Sequence, residues 1–329
     1  MSAISRREFF KKAGTDAAVA GLLAATAGAT LEANPLGLPV GSQTYPHRAR
    51  IQSGDFAGLL KDMKGIGIEV IELCSPSYTE FASLADGKMV RKALDDSGMK
   101  CLSAHFGMNV LRTKQPEMIQ WAKDIGMTQM STASLGGKVT TGMTTLDEVK
   151  RAADEYNKIG AAARKAGLQQ ALHNEGFENS KLEDGRLTYP VLLEYLDPDL
   201  VKMQFQMSSM RTVGDPIMYF MNHPGRFISA HLQGVDTTQG MQTSRAGLPS
   251  VKPTPEEAAA AAQGRGGRGQ GGGGGRGQAG GGGLAVGEDT VDWPKVFAAA
   301  KTAGLKNYFV EQSWDLTVKS VAYLKTLNV

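Results

Sequence analysis

Four of the five histidines in the chain come at or just past the end of a short apolar run, namely His47, His105, His173 and His231. Other runs end in acids, amides or hydroxyls, as at Glu72, Ser131, Glu175, Gln206 and Glu311. One histidine at such a place is more often structural than a ligand, but four on a common edge favour a site. Imidazole and carboxylate groups on converging strands suit a divalent metal such as Mn²⁺, Zn²⁺ or Mg²⁺.

The apolar runs predict eight strands, at residues 40–44, 69–73, 100–104, 128–132, 168–173, 201–206, 227–231 and 307–311. Amphipathic patterns between them predict helices at 56–63, 88–97, 116–125, 146–166, 189–196, 216–222, 293–303 and 318–324. Eight strand–helix units predict an α/β fold, a single-domain (β/α)8 TIM barrel over residues 38–327, whose strand ends share one mouth. A doubly wound open sheet is the alternative, but no G-x-G-x-x-G follows the first strand.

Composition describes an ordinary globular chain. The 329 residues are 41% hydrophobic and 21% charged, which excludes collagen, coiled coil and general disorder. The formal net charge is +3, and the first 29 residues carry a surplus of two positive charges. The remainder is therefore near +1, which argues against a nucleic-acid or membrane-surface binder.

The N-terminus has the pattern of an export signal. Arg6-Arg7 is followed by two phenylalanines, two lysines and an alanine-rich run that ends near Ala29. This order resembles a bacterial twin-arginine signal, and small residues offer A-x-A cleavage sites. We therefore expect residues 1–29 to be removed and the protein to be periplasmic or otherwise exported. The run is too short to span a membrane, and an ordinary amphipathic helix is the alternative.

Residues 263–283 contain fourteen glycines and three arginines and lack aromatic side chains. Such a stretch cannot bury enough apolar surface to offset chain entropy, so the sequence predicts a disordered loop after the seventh strand, on the side of the barrel mouth. Arg-Gly tracts also occur in RNA-binding tails, but three arginines without aromatics give weak electrostatics.

The two cysteines are expected to be buried free thiols. Cys74 closes one apolar run and Cys101 opens the next. In neighbouring parallel strands these positions lie at opposite ends, beyond the reach of a disulfide.

The segment His173-Asn174-Glu175-Gly176-Phe177-Glu178 resembles the fifth-strand signature of the sugar phosphate isomerase/epimerase family, whose fold is the xylose-isomerase-like TIM barrel. Further matches follow in the same order as in the family, at residues 196–201, 214–216, 224–227, 286–293 and 309–312. The resemblance covers residues 38–327. It implies a divalent metal held by strands five to eight.

Members of that family bind the metal through a glutamate, an aspartate, a histidine and a second glutamate. The resemblance carries the last two roles to His231 and Glu311. Gln206 stands in place of the aspartate, and His173 occupies strand five, so these four residues are the expected metal ligands. An amide in place of a carboxylate removes one negative charge, so metal affinity should fall. Glu175, on the same face of an extended strand as His173, restores that charge if its side chain turns inward.

An enzyme that enolises a sugar needs a base beside the C–H bond and a cation on the neighbouring oxygens. Glu311 and Glu175 are the expected catalytic pair, with His47 and His105 as hydroxyl-binding residues. Trp314 would stack on the sugar, or would cover the barrel rim as a structural aromatic. The first hypothesis is a sugar-active isomerase or epimerase, or a lyase on keto-sugars or inositol derivatives. The alternative is a non-catalytic or partner-dependent carbohydrate-binding barrel with a degraded metal site.

Overall fold

Eight parallel strands close into a barrel, in the order β1-β10-β9-β8-β6-β4-β3-β2. The computed structural model describes residues 34–133, 143–175, 177–178, 180–210, 214–235 and 283–329. The barrel strands are β1 (Gly41–Gln43), β2 (Val70–Cys74), β3 (Lys100–His105), β4 (Gln129–Thr132), β6 (Gln169–His173), β8 (Val201–Gln206), β9 (Phe227–Leu232) and β10 (Asn307–Val310). Two further strands, β5 (Met143–Thr144) and β7 (Lys181–Leu182), pair with each other as a separate sheet.

The helices that surround the barrel come between its strands. They are α1 (Arg48–Gln52), α2 (Phe56–Gly65), α3 (Gly87–Ser97), α4 (Met108–Ile125), α5 (Leu146–Lys165), α6 (Thr188–Tyr195), α7 (Met207–Met210), α8 (Pro216–Asn222), α9 (Trp293–Ala303) and α10 (Trp314–Leu324). Short 3-10 helices occupy Pro35–Gly37, Tyr45–His47 and Thr79–Leu84. The predicted (β/α)8 TIM barrel is confirmed, and each of the eight predicted strands matches the observed one within one residue at both ends.

Two helix starts were predicted too late. The helix predicted at 116–125 is α4, which begins at Met108, because the chain passes through a kink at Lys114 (φ −140°) and continues past Pro116. Pro116 was taken as the first helical residue, where proline is favoured, but here it lies inside the helix. The helix predicted at 318–324 is α10, which begins at Trp314.

The core between strands and helices is packed with aromatic side chains. Trp293 on α9 is fully buried, and its Nε1 donates to Asp289 Oδ1 at 2.8 Å. Phe297 packs against Trp293 and Tyr308, with ring centroids 6.1 and 5.3 Å away. This contact fixes α9 against β10 and therefore the position of the strand end that precedes Glu311.

The inside of the barrel is polar beneath its mouth. The hydroxyls of Ser103 and Ser131 lie 3.2 Å apart, and Gln204 Nε2 donates to Ser229 Oγ at 3.0 Å. All four side chains are fully buried, and Ser103 is in register with Glu72 on β2. Buried hydroxyls and amides of this kind can satisfy a charge that an apolar barrel core could not.

The structure tests the prediction about the two cysteines but not those about the N-terminus and the glycine-rich stretch. Cys74 and Cys101 are buried free thiols, as predicted. Residues 1–29 and residues 263–282 of the glycine-rich stretch lie outside the described residues, so the export signal and the disordered loop stay predictions. Among the residues described, none of the helices combines the length and the hydropathy that crossing a membrane requires.

Candidate metal centre at the barrel mouth

Glu72 is the centre of the polar cluster inside the barrel. Its carboxylate, on β2, is fully buried. Oε1 accepts from His231 Nε2 at 2.6 Å and lies 3.1 Å from His105 Nε2, and Oε2 accepts from Gln204 Nε2 at 2.6 Å. Burial alone would raise the pKa of Glu72, but His105 and His231 hold it well below its ordinary value. Glu72 is therefore a buried anion.

His231 on β9 lies between two carboxylates. Nε2 donates to Glu72, and Nδ1 lies 3.1 Å from Oε2 of Glu311. Burial of the ring would lower the pKa of His231, yet the charges of Glu311 and Glu72 outweigh that effect and raise the pKa to about 10. Without a metal, the ring is therefore an imidazolium at neutral pH.

Glu311, the residue after β10, brings the cluster to the open side of the barrel. Its Oε2 accepts from Gln206 Nε2 at 2.8 Å and from Gln233 Nε2 at 3.1 Å, in addition to the contact with His231. The Glu311 side chain is 18% exposed, while the His231 side chain has no exposure. Among the ionisable groups described in this cluster, Glu311 is thus the one that solvent and a small molecule can reach.

Three imidazoles form a second possible set of metal donors. His105, His173 and His231 are all buried, and one nitrogen from each lies within 4.8 Å of the others. The ring centroid of His173 is 4.4 Å from that of His231 and 5.0 Å from that of His105. Three histidines are a recognised catalytic zinc set. This set shares His173 and His231 with the four ligands that the sequence predicts, and it differs in using His105 instead of Gln206 and Glu311.

The residues present fit a divalent cation. Gln206 Nε2 is directed to Glu311, and Gln206 Oε1 is a buried acceptor with no hydrogen-bond partner among the described residues. A buried amide oxygen that lies beside a carboxylate and imidazoles needs a further neighbour, which is either a hydrogen-bond donor or a cation. Mixed nitrogen and oxygen donors suit Zn²⁺ or Mn²⁺ better than Mg²⁺, which prefers oxygen alone.

The other predicted site residues, Glu175, His47 and Trp314, come after the ends of β6, β1 and β10 along the chain. Glu175 lies two residues beyond the end of β6 and is exposed, so the alternation of that strand does not orient its side chain. His47 ends the 3-10 helix after β1 and packs edge-on against Trp314, with ring centroids 5.7 Å apart. Burial, followed by the charge of Arg50, lowers the pKa of His47 to about 4, and its Nε2 has no hydrogen-bond partner among the described residues.

Three residues of the cluster had no role in the sequence predictions. Glu72 was placed at a strand end but given no function, and Gln204 and Gln233 were not singled out. The available signal was a charge at the centre of an otherwise apolar strand, Val70–Cys74. A buried charge in such a strand needs partners, but the sequence does not show that the partners come from β3, β8 and β9.

No protein-family model and no curated protein matches the chain, whereas solved structures do. A sugar phosphate isomerase/epimerase from Parabacteroides distasonis has a TM-score of 0.63 and 18% identity, with 88% of this chain and 94% of that chain covered. A xylose isomerase-like TIM barrel protein from Mycobacterium smegmatis, in complex with magnesium, has a TM-score of 0.57 and 12% identity, with 89% and 97% covered. The IOLI protein with a bound zinc atom has a TM-score of 0.56 and 13% identity, with 88% and 95% covered.

These likenesses show that the chain shares the TIM-barrel fold with sugar phosphate isomerase/epimerases and a xylose isomerase-like protein. The neighbours include sugar phosphate isomerase/epimerases, the class whose fifth-strand signature His173–Glu178 resembles. At such low identities they establish architecture, and the chemistry has to be argued from the cluster around His231.

Proposed function

We propose that the protein is a metal-dependent isomerase or epimerase of small carbohydrates. The observation that carries the proposal is the convergence of His231, Gln206 and Gln233 on one oxygen of Glu311 at the barrel mouth. TIM-barrel enzymes place their catalytic groups at this end of the strands. The structural neighbours include a sugar phosphate isomerase/epimerase and zinc- and magnesium-bound barrels, which is in keeping with this chemistry.

The cation would be held by His231, Glu311 and Gln206, with His173 as the fourth donor. A divalent ion there would supply Lewis-acid stabilisation of the negative charge that develops on the substrate. Gln206 and Gln233 hold the Glu311 carboxylate in place through its Oε2. This arrangement excludes free rotation of the carboxylate and leaves its position defined before substrate binds.

Glu311 is the proposed base. It removes the proton from the carbon next to a carbonyl group, the electron pair of that C–H bond forms an enediolate, and the proton rests on the carboxylate. Return of a proton to the same carbon from the other face gives the epimer, and return to the neighbouring carbon gives the isomer. Glu175 is the proposed second acid, reached from the exposed side of the mouth.

His47 and Trp314 are the proposed sugar-binding pair. The lowered pKa of His47 keeps its ring neutral at physiological pH, so it can exchange hydrogen bonds with a hydroxyl without charge. The half-buried indole of Trp314 offers an apolar face beside it. Keto-sugars and inositol derivatives carry the hydroxyl groups that such a pair would bind.

The test is hydrogen exchange at carbon. Protein stripped with EDTA and reloaded with Zn²⁺, Mn²⁺ or Mg²⁺ is incubated in D₂O with a panel of aldoses, ketoses and keto-inositols, and deuterium incorporation is followed by NMR. We expect metal-dependent exchange with at least one sugar, and its loss in Glu311→Gln. The matched control is Glu288→Gln, at an exposed carboxylate paired with Lys319. No exchange with any metal and sugar would overturn the proposal.

A second candidate is a carbohydrate-binding barrel without catalysis. It is favoured by the hydrogen bonds that already satisfy both nitrogens of His231 and the Oε2 of Glu311. Such a protein would bind a sugar in EDTA with the same affinity as in the presence of metal, and it would show no exchange at carbon. Calorimetric titration in both conditions separates the two functions.

We also propose export by the twin-arginine route, on the pattern at Arg6 and Arg7. Replacing both arginines with lysine keeps the charge and should retain the protein in the cytoplasm. Cell fractionation measures the export. Continued export of the double variant would identify a different signal.

A further inference from the structure

A carboxylate beneath the proposed metal site connects four strands of the barrel. Glu72 on β2 contacts His105 on β3, Gln204 on β8 and His231 on β9, at 3.1, 2.6 and 2.6 Å. β2 and β9 are separated in the barrel by β1 and β10, so the contact with His231 crosses the interior. Every one of these partners is at least nine-tenths buried.

The hydrogen-bond pattern around Glu72 determines which ring nitrogen of His231 keeps its proton when the other nitrogen binds a cation. An ionised carboxylate only accepts, so the nitrogen of His231 that faces it, Nε2, is the donor. Gln204 is fixed in the same way, because its Nε2 donates to Glu72 and to Ser229 Oγ at 2.6 and 3.0 Å. Its Oε1 therefore accepts from His105 Nε2 at 2.8 Å.

We propose that Glu72 is a positioning residue of the site: it binds Nε2–H of His231 and so presents Nδ1 to a cation shared with Glu311. The inference rests on the proposed function, and it adds the nitrogen through which His231 binds. Carboxylates that bind the second nitrogen of a histidine ligand fix the orientation of the ring and raise its basicity. Glu72 itself does not touch the substrate.

The same geometry chooses between the two donor sets. Nε2 of His105 and Nε2 of His231 are both engaged on the Glu72 side of the cluster, at 3.1 and 2.6 Å from the same oxygen. Nδ1 of His231 is on the side of Glu311, at 3.1 Å. The set that uses Glu311 and Gln206 with Nδ1 of His231 therefore leaves the Glu72 contacts intact.

The first experiment reads the ligand atom directly. Wild-type protein labelled with ¹⁵N at histidine is loaded with ¹¹³Cd²⁺, and one-bond coupling between cadmium and nitrogen is recorded. We expect coupling to Nδ1 of His231, with the proton retained on Nε2. Coupling to Nε2 would overturn the proposal without touching the proposed function. This measurement needs no variant.

The second experiment removes acceptors from position 72 in steps. Glu72→Gln keeps the size but leaves one acceptor oxygen for three donors, and Glu72→Met keeps the length with none. We expect Zn²⁺ affinity to fall about 10-fold in Glu72→Gln and about 100-fold in Glu72→Met. The matched control is Glu69→Gln, at an exposed carboxylate just before β2, which should bind as the wild type does.

The outcomes separate the two proposals. Equal affinity in wild type and both Glu72 variants would show that the carboxylate only fills space, even if the sugar exchange of the wild type is intact. No cation uptake by the wild type would remove the metal from the proposed function. It would also remove the cation to which Nδ1 of His231 is presented, and so overturn this proposal as well.

Discussion

Two buried histidines in different regions of the barrel mouth have opposite electrostatic surroundings. His231, inside the barrel, is fully buried, and His47, at the rim beside Trp314, is 7% exposed. Loss of water acts in the same direction on both rings and favours the neutral form. Nevertheless the pKa of His231 is raised to about 10, whereas that of His47 is lowered to about 4.

The difference comes from the neighbours and not from depth. His231 has Glu311 and Glu72 at hydrogen-bond distance, while the charge that acts on His47 is the positive one of Arg50. Carboxylates near an imidazole attract protons and cations alike, so the His231 region is prepared for a metal. The ring of His47 is neutral, and its Nε2 has no hydrogen-bond partner in the part of the chain that the structure describes, so it is prepared for a hydroxyl group.

The largest expected effect is on stability, and it appears when the ring of His231 and the ring of His47 are removed in separate variants. In metal-free protein, His231→Ala leaves the buried Glu72 carboxylate without one of its two closest partners, so we expect a loss of about 3 to 5 kcal/mol in the free energy of unfolding. His47→Ala removes packing against Trp314 and no charge, so it should cost under about 2 kcal/mol. Urea unfolding at pH 7 in EDTA measures both, and equal losses would contradict the comparison.

The second prediction concerns alkaline pH and metal-free protein. The folded pKa of His231 is above the unfolded value, so its contribution to stability is complete below pH 6.5 and is lost as the pH rises towards 10. The free energy of unfolding should fall by up to about 1.4 kcal/mol per pH unit in this window. The measurement is the difference between wild type and His231→Gln at each pH. A constant difference from pH 6.5 to 10 would rule out the charged ring.

The third prediction concerns acid pH. The folded pKa of His47 is below the unfolded value, so the unfolded chain binds more protons between pH 4 and 6.5. Stability should therefore decrease as the pH falls through this window, by up to about 1.4 kcal/mol per unit. His47→Gln should remove that part of the slope, whereas His231→Gln, which keeps His47, should retain it. If both variants had the same acid slope as wild type, His47 would be protonated in the folded protein.

The sequence was sufficient for the barrel because its strands are continuous apolar runs of ordinary length, bounded by turn residues. It was insufficient for β5 and β7, which have two residues each and therefore no periodicity to detect. The start of α4 was missed because Pro116 has the signature of a first turn while the chain continues through it.

The site, like the fold, has a part that the sequence could predict and a part that it could not. The sequence could predict that His105, His173, His231, Gln206 and Glu311 lie close together, because the strand ends of one barrel converge, a consequence of topology alone. The role of Glu72 could not be found in this way, since it depends on a contact between residues 159 positions apart across the interior. Glu175 shows the limit of strand alternation, because β6 ends at His173.

The substitution with the smallest expected effect adds a charge to the His231 region and leaves the His47 region unchanged. Gln206→Asp places a carboxylate where Gln206 now donates to Glu311, so metal-free protein loses a hydrogen bond and gains repulsion. With a divalent ion bound, the new charge is attractive, about 4 kcal/mol at 4 Å for a dielectric near 20 before desolvation. Desolvation of the new charge reduces this gain, and so does the longer distance from the shorter side chain to the ion. We therefore expect Zn²⁺ to bind about tenfold more tightly, or about 1.4 kcal/mol. Gln206→Asn has the same shape without the charge and should bind no better than wild type, as measured by competition with a chelating dye. Equal affinity of the Asp and Asn variants would show that no cation lies beside position 206.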